Sequence, residues 1–533
     1  MNVMSQIIIA PILIPLFAGF SMVLIGEARR REQATIGLVS LILQVVVAVA
    51  LLLAAASTDG PSVAVYKVGD WSPLFGIVLV IDRLSALMVT LTSVLGLSAL
   101  IFALARWHRA GSHFHPLFQF QVMGIHGCFL TGDLFNLFVF FEVMLAASYG
   151  MALHGQQTAR VRASLHYVAI NLVASLLFLI GTSMLYGVVG TLNMADLAAR
   201  IPLVPVEDRG LVEAGAAVLS ITLLIKAGMW PLGFWLPGTY AAASAPAAAI
   251  LSILSKVGVY AVLRLFLLFF GTDAGASAGF GGPVLLVAGL LTIAYGSLAI
   301  LATQNMSRLA GAAILVSSGT LLATIGTGNA AAVSGALLYL VSSVLTIGAF
   351  FLLIELVERG REAGADVLAV TREAYGGGSA DEDLEEEEVG VAIPAPTAIL
   401  GIAFLACAVL IAGLPPLSGF LAKFSILAPL WSAPAVPGPA AWWLLAGLIA
   451  SGLFTMIALT RTGIDVFWVA TNPLPPVRLI ELAPVVLLLA LCVAVTVQAG
   501  PVMAYLEATT RSLHAPTTYI DQVLSPGGKE RAQ

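Results

Sequence analysis

Some fourteen apolar runs, each near the ~20 residues that an α-helix needs to cross a bilayer, constrain this chain more than any other feature. They fall near 6–26, 35–55, 78–105, 115–131, 134–153, 164–190, 212–232, 246–270, 283–302, 308–327, 330–356, 397–430, 441–461 and 481–503. Gly132 and Asp133 divide the fourth run from the fifth. A soluble chain carries about 25% charged residues; this one carries 10%, with 59% hydrophobic. The expected fold class is therefore an all-α polytopic membrane protein of about fourteen transmembrane helices. The first run lacks a basic n-region and a cleavage site, so it reads as a retained span and not a signal peptide. Basic residues crowd alternate loops, most densely in EARRRE at 27–32, which predicts both termini outside.

The net charge of -5 comes from 24 basic and 29 acidic side chains, and seven of the acids lie in the run Asp381–Glu388. That run lies in a 357–396 insertion, GGGSADEDLEEEE, that predicts a disordered cytoplasmic linker. Nothing in the charge pattern points to nucleic acid. Cys128, Cys407 and Cys492 are isolated in apolar surroundings and read as buried small hydrophobes. No phosphate loop, nucleophile elbow or metal-ligand cluster occurs, so no cofactor and no covalent chemistry are expected. His108, His113 and His115 gather at an inner loop, where an interfacial role is expected. His126 lies inside a span, either as a satisfied core histidine or on a proton path. Beyond 503 the sequence predicts only a short polar tail.

Chemistry concentrates at 221–260, where Lys226 and Lys256 lie deep in apolar sequence broken by Pro231, Pro237 and Pro246. An ammonium in hydrocarbon costs from ~3 to over 10 kcal/mol, and a helix broken inside a membrane frees backbone groups that must face protein or water. Their coincidence suggests an ion path; the plainer reading is a lysine snorkelling to the headgroups. Glu142, in NLFVFFEVMLAASYG, and Lys423, in AGLPPLSGFLAKFSIL, are the other ionisable residues well inside spans. Burial disfavours an unpaired charge, so a carboxylate–ammonium pair that can separate would bind and release a proton. Glu142 is expected to pair with Lys226. Ser252, Lys256 and Tyr260 recur at helical spacing, as do Thr222 and Lys226, and form polar stripes that could hold water. Hydroxyls are also common packing groups in membrane helices. The segments around Pro231 and Pro416 share a P-L-(S)-G-F pattern, and corresponding broken helices point to an inverted-repeat transporter.

The stretch from Lys226 to Lys256 resembles the antiporter core of the D-type subunit of Mrp-type multi-subunit Na+/H+ antiporters, and more distantly the antiporter-like membrane subunits of respiratory complex I. GDLFNLFVFFE at 132–142 and GLPPLSGFLAKF at 413–424 match the same family, so the resemblance spans roughly 115–430. It implies two inverted five-helix repeats, each with a broken helix. Helices 1–3 would occupy 1–110, the first repeat 111–270, and the second repeat 271–356 with 397–461. The acidic linker would be 357–396, and the last helix and tail 462–533. The resemblance makes Glu142 and Lys226 the pair at one end of the path, Lys256 the central relay and Lys423 the terminal lysine. It implies other membrane subunits as partners, with Na+ and H+ as transported ions in a bacterial cytoplasmic membrane. Where relatives carry charge or histidine between the last two lysines, this chain has Tyr339, Ser342, Ser343 and Thr346, so a hydroxyl-held water wire is expected there. Three rivals stand beside the antiporter: a redox-driven proton pump subunit, a non-conducting scaffold, and a carrier of organic solutes.

Overall fold

A computed structural model of the 533-residue chain describes residues 6–57, 63–74, 76–154, 158–359, 394–432, 438–468 and 477–525. The chain enters through α1 (Ala10–Ile25) and α2 (Arg30–Ala56), then forms a ladder of β1 (Val63–Lys67) and β2 (Val78–Asp82). There follow α3 (Arg83–Ala105), α4 (Phe114–Leu130), α5 (Leu134–Leu153), α6 (Thr158–Val189), α7 (Met194–Arg200) and α8 (Val206–Ala227). The interrupted region holds α9 (Trp235–Ala242), α10 (Ala245–Leu251) and α11 (Leu254–Phe270). Next come α12 (Gly282–Ala302), α13 (Met306–Gly326), α14 (Ala330–Glu358), α15 (Ala395–Ala412), α16 (Ser418–Trp431) and α17 (Pro439–Phe467). The chain closes with α18 (Leu479–Val497), α19 (Ala499–His514) and α20 (Thr517–Leu524).

Among the described residues, twelve helices are long and apolar enough to cross a membrane, and Ala10–Ile25 is a shorter apolar helix. Burial differs sharply between them. The windows of α13 and α14 are 94% and 100% buried, whereas those of α2, α15 and α17 are each 33% buried. The hydroxyl-rich α13 and α14 therefore form the spine, while α2, α15 and α17 turn apolar faces outward and keep polar residues such as Gln44 and Thr455 inside. Membrane solvent inverts the soluble pattern, because only the interior offers partners to polar side chains.

Several expectations need correction. The run at 78–105 does not begin as a helix: Val78–Asp82 pairs antiparallel with Val63–Lys67, and Asp82 then caps α3 by accepting from Ser85 N. A β-branched, apolar pentapeptide next to a capping aspartate reads equally as strand or helix in a hydropathy window. Interruption of the runs at 212–232, 246–270 and 397–430, by contrast, is as their prolines and glycines lead one to expect: α8 stops at Ala227, α10 and α11 part at Ser252–Ile253, and α15 gives way at Gly413. Gly228 and Gly413 end their helices in the left-handed region, at φ +77° and +75°, as helix C-termini favour. Finally, the region past 503 is not a bare polar tail. α19 and α20 are amphipathic and bury Leu506, Leu513, Tyr519 and Val523, too sparse an apolar pattern to register as hydropathy. The division at Gly132–Asp133 is present, with Asp133 accepting from Asn136 N at the start of α5. The acidic run Asp381–Glu388 lies outside the described residues.

Candidate functional site

The three lysines of the interrupted segments are buried, with Lys226, Lys256 and Lys423 exposed by only 4%, 1% and 8%. Each stands beside a helix break. Lys226 occupies the last turn of α8, Lys256 the first turn of α11, and Lys423 the second turn of α16. A break supplies what an isolated buried ammonium needs, namely unpaired backbone carbonyls and room for water.

Lys226 Nζ lies 4.7 Å from the centroid of the Phe141 ring. It has no hydrogen-bond partner and makes no ion pair among the described residues. The expected contact with Glu142 is therefore not a salt bridge in this conformation. Glu142 is half-buried and accepts instead from the Ser175 hydroxyl on α6. One residue separates these choices, because Phe141 faces inward and Glu142 sits at the edge of the same turn. Thr222, one turn before Lys226, donates to the Ala174 carbonyl at 3.1 Å, so it braces α8 against α6 next to Ser175. The short α9 and the break after it carry more unpaired polar atoms: Trp235 Nε1, Tyr240 OH and Ser244 Oγ are buried without protein partners. Such groups are normally satisfied by water.

α11 approaches α8 closely because Gly258 lacks a side chain. A Cβ there would stand 2.5 Å from Ala227 N and 2.9 Å from the Lys226 carbonyl carbon. Lys256 Nζ donates to Ser318 Oγ on α13 at 3.3 Å. The polar stripe expected on its own helix does not serve it directly: Ser252 donates to the Ala249 carbonyl and Tyr260 to the Phe129 carbonyl.

From Ser318 the hydroxyls continue toward the third lysine. Adjacent Ser317 donates to Ser343 at 2.9 Å, and Ser342 pairs with Ser418 at 2.8 Å. Ser418 begins the helix that carries Lys423. Between these pairs lies a cavity of about 20 Å3, walled by Ser317, Tyr339, Ser342, Ser343, Thr346 and Thr455 among apolar side chains. That is room for one water with several polar partners. Lys423 Nζ donates to the Ala412 carbonyl at 2.8 Å. The structure thus brings Tyr339, Ser342 and Ser343 together between Lys256 and Lys423. Ser317, Ser318, Ser418 and Thr455 join them, although sequence reasoning does not single them out; the SSGT run at 317–320 is the available signal.

His126 is placed apart. Its ring nitrogens meet the Pro11 carbonyl at 3.0 Å and Ser93 Oγ at 3.3 Å, so it is a satisfied core histidine that ties α1 and α3 to α4. His108 and His115 do meet, with ring centroids 5.7 Å apart, whereas His113 points away to Glu27. No group of three or more His, Cys, Asp or Glu among the described residues could hold a metal. All three cysteines are buried and unbridged.

Comparison with known proteins matches residues 131–455 to the family described as NADH:quinone oxidoreductase/Mrp antiporter, transmembrane. The chain is 55% identical to the D-type subunit of a probable K+/H+ antiporter of Rhizobium meliloti (strain 1021) over 98% of each chain. It is 32% identical to the D-type subunit of the Na+/H+ antiporter of Alkalihalophilus pseudofirmus, covering 98% of this chain and 100% of that one. A solved structure of the Mrp complex from Dietzia sp. DQ12-45-1b contains a chain that superposes with a TM-score of 0.81 at 26% identity, covering 98% of this chain and all of that one.

Proposed function

The chain belongs to the family of D-type Mrp antiporter subunits, and on that premise we propose that it carries protons along a midplane row of Lys and Glu sites in a multi-subunit monovalent cation/H+ antiporter. The observation that carries the reading is the line of groups from Glu142–Ser175, past Lys226, to Lys256–Ser318, Ser317–Ser343, Ser342–Ser418 and Lys423. Its middle, from Lys256 to Ser343, runs through α11, α13 and α14, whose apolar windows are 94–100% buried. A scaffold would gain nothing from three buried ammoniums without a carboxylate partner, since each costs several kcal/mol to desolvate.

In this reading Lys226 moves between the Phe141 face and Glu142. Near the carboxylate it holds its proton; away from it, burial favours release. Water at Trp235, Tyr240 and Ser244 connects that end to one side of the membrane. Lys256 passes charge through the hydroxyls of α13 and α14, and Lys423 completes the path against the Ala412 carbonyl. Fourteen spans in two inverted repeats, with both termini outside a bacterial cytoplasmic membrane, are part of the same reading. Other membrane subunits complete the exchanger, as in the solved Mrp complex. The chain itself forms and breaks no covalent bonds.

The 55% identical relative is named for K+/H+ exchange and the 32% identical one for Na+/H+ exchange. Greater similarity favours K+ as the exchanged cation, with Na+ as the second reading. The test uses everted vesicles bearing the intact complex and a pH-gradient dye. K+ addition should collapse the gradient at lower concentration than Na+. Lys256→Ala and Lys226→Ala should abolish the response while the complex still assembles; normal exchange in either assembled variant would end the relay reading.

A further inference from the structure

Two turns along α11 from Lys256, toward the C-terminal end of the helix, Arg264 and Asp82 form a buried bidentate ion pair. Arg264 Nη1 lies 2.6 Å from Asp82 Oδ2, and Nη2 donates to Oδ1 at 2.8 Å. Asp82 also accepts from the backbone and hydroxyl of Ser85, so its carboxylate is saturated. The pair forms part of the wall of a cavity of about 210 Å3, whose other walls include Ser512, Pro516, Thr517, Thr518 and Tyr519. Thr517 and Thr518 are exposed, whereas Arg264 and Asp82 are buried. The cavity therefore runs from the surface to the ion pair, and it has room for several waters.

Below the pair the polar path continues. Arg264 Nη2 reaches Tyr260 OH at 3.5 Å, and Tyr260 in turn donates to the Phe129 carbonyl at 2.8 Å. Tyr260 is one turn from Arg264 and one turn from Lys256, so the three share a face of α11. Beside Tyr260 a further void of about 10 Å3 is lined by Leu84, Met88, Val259 and Leu263. Above the pair, the Tyr519 ring lies 5.4 Å from the Arg264 guanidinium. α19 and α20 thus roof the cavity and hold the arginine down.

We propose that this cavity is the aqueous access through which protons pass between the outer side and Lys256, with Arg264–Asp82 as its closure and Tyr260 as the step beneath it. The proposal rests on Lys256 being the central relay. A bidentate pair suits a closure because opening it leaves two charges that the vestibule water can solvate at once. A brace between α11 and α3 would need no water-sized space above it and no hydroxyl below it.

The test is side-specific cysteine labelling of the assembled complex in right-side-out vesicles, with Cys128, Cys407 and Cys492 replaced by alanine and a membrane-impermeant thiol reagent outside. Thr518→Cys should label readily. Met88→Cys, at the void beside Tyr260, should stay nearly unlabelled while the pair is intact. Adding Arg264→Gln should raise its labelling at least fivefold, and Arg264→Lys should restore protection. If Arg264→Gln prevents assembly, Tyr519→Leu at the roof must produce the same rise. Three results would overturn the proposal: Thr518→Cys reacting only in everted vesicles or not at all, Met88→Cys reacting equally with the native pair, or Met88→Cys staying protected in both opened variants. None of these results depends on transport, so they stand apart from failure of the relay itself, which Lys256→Ala reads.

Discussion

Lys423 donates its hydrogen bond to the carbonyl of Ala412, the last residue of α15, and its stem lies over Gly413. A helix C-terminus carries partial negative charge, so the amine is held by a dipole and not by an acid. Lys423→Ala should lower cation/proton exchange at least tenfold in assembled complexes. Gly413→Ala should also act there, because a Cβ would stand 2.6 Å from Lys423 Cδ at a φ of +75°. A cost of about 1–3 kcal/mol is expected for the conformation, read as a lower melting temperature. Unchanged melting would show that the backbone relaxes.

The hydroxyl line between Lys256 and Lys423 makes a separate prediction. Removing one donor costs about 1–2 kcal/mol, roughly a tenfold change in rate if it falls on the transit step. Ser342→Ala and Tyr339→Phe should each slow exchange by about that factor, while Ser342→Thr retains most of it. Vesicle exchange rates measured at equal complex content would check this. Full activity in both deletions would remove the middle of the path.

Gly258 sets how closely the Lys226 and Lys256 helices pack. Gly258→Ala requires a shift of several tenths of an ångström at Ala227, and overpacking of this kind costs about 1–3 kcal/mol. Exchange should fall more than complex yield does. A loss of yield alone would make the glycine a packing residue only.

How much of this arrangement is legible in sequence varies with the kind of signal. Lys226, Lys256, Lys423 and Glu142 stand out because charge in an apolar run has few innocent explanations. Pro231 and Pro416 mark the breaks for the same reason that they make them: no N–H and a locked φ. Partners are harder. Sequence suggests that Glu142 and Lys226 touch, yet Lys226 lies against the Phe141 ring and the carboxylate accepts from Ser175, on a helix that linear order cannot position. Ser252 and Tyr260 look like companions of Lys256, but hydroxyls in membrane helices often bond their own backbone, as Ser252 does. β1 and β2 are hidden because VAVYK and VLVID each read as an unbroken apolar run up to the last residue, with no alternation of polar and apolar positions.

At the end of the bundle that carries Arg30 and Arg109, acidification should weaken the fold. Burial, then the guanidiniums of Arg109 and Arg30, holds the His108 imidazole below its usual range. Burial, aided by Arg160 and Arg30, does the same at His154 despite its bond to the Trp107 carbonyl and the nearby Glu27; His115 packs edge-on against the His108 ring. The unfolded chain therefore takes up protons that the folded chain resists as pH drops below about 6.5, so stability declines through that window. The melting temperature of the purified complex should be lower at pH 5.5 than at pH 7.5. His108→Gln with His154→Gln should narrow the difference; an unaltered gap would assign it elsewhere.

Arg359 bridges Glu355 at the end of α14 to Glu481 at the start of α18, at 2.5 and 2.7 Å, and Glu355 also accepts from Trp107 Nε1 at 2.5 Å. Glu481→Ala leaves a half-buried guanidinium with one partner fewer. Stability should drop by about 1–3 kcal/mol, less than for a fully buried pair because Arg359 retains contact with solvent. Denaturant or thermal unfolding of the complex measures it, and a shift too small to detect would mark the bridge as incidental.

The one-water void among Ser317, Tyr339 and Ser342 bears on which ion the proposed path could carry. A proton can cross it by exchange of bonds, with no heavy atom travelling. A potassium or sodium ion, clothed in its own hydration layer, is too bulky to lodge there and finds no carboxylate to undress it. On the proposed relay, the central portion would then select by mechanism of movement, because its one-water space suits a proton hop and does not admit a hydrated metal ion.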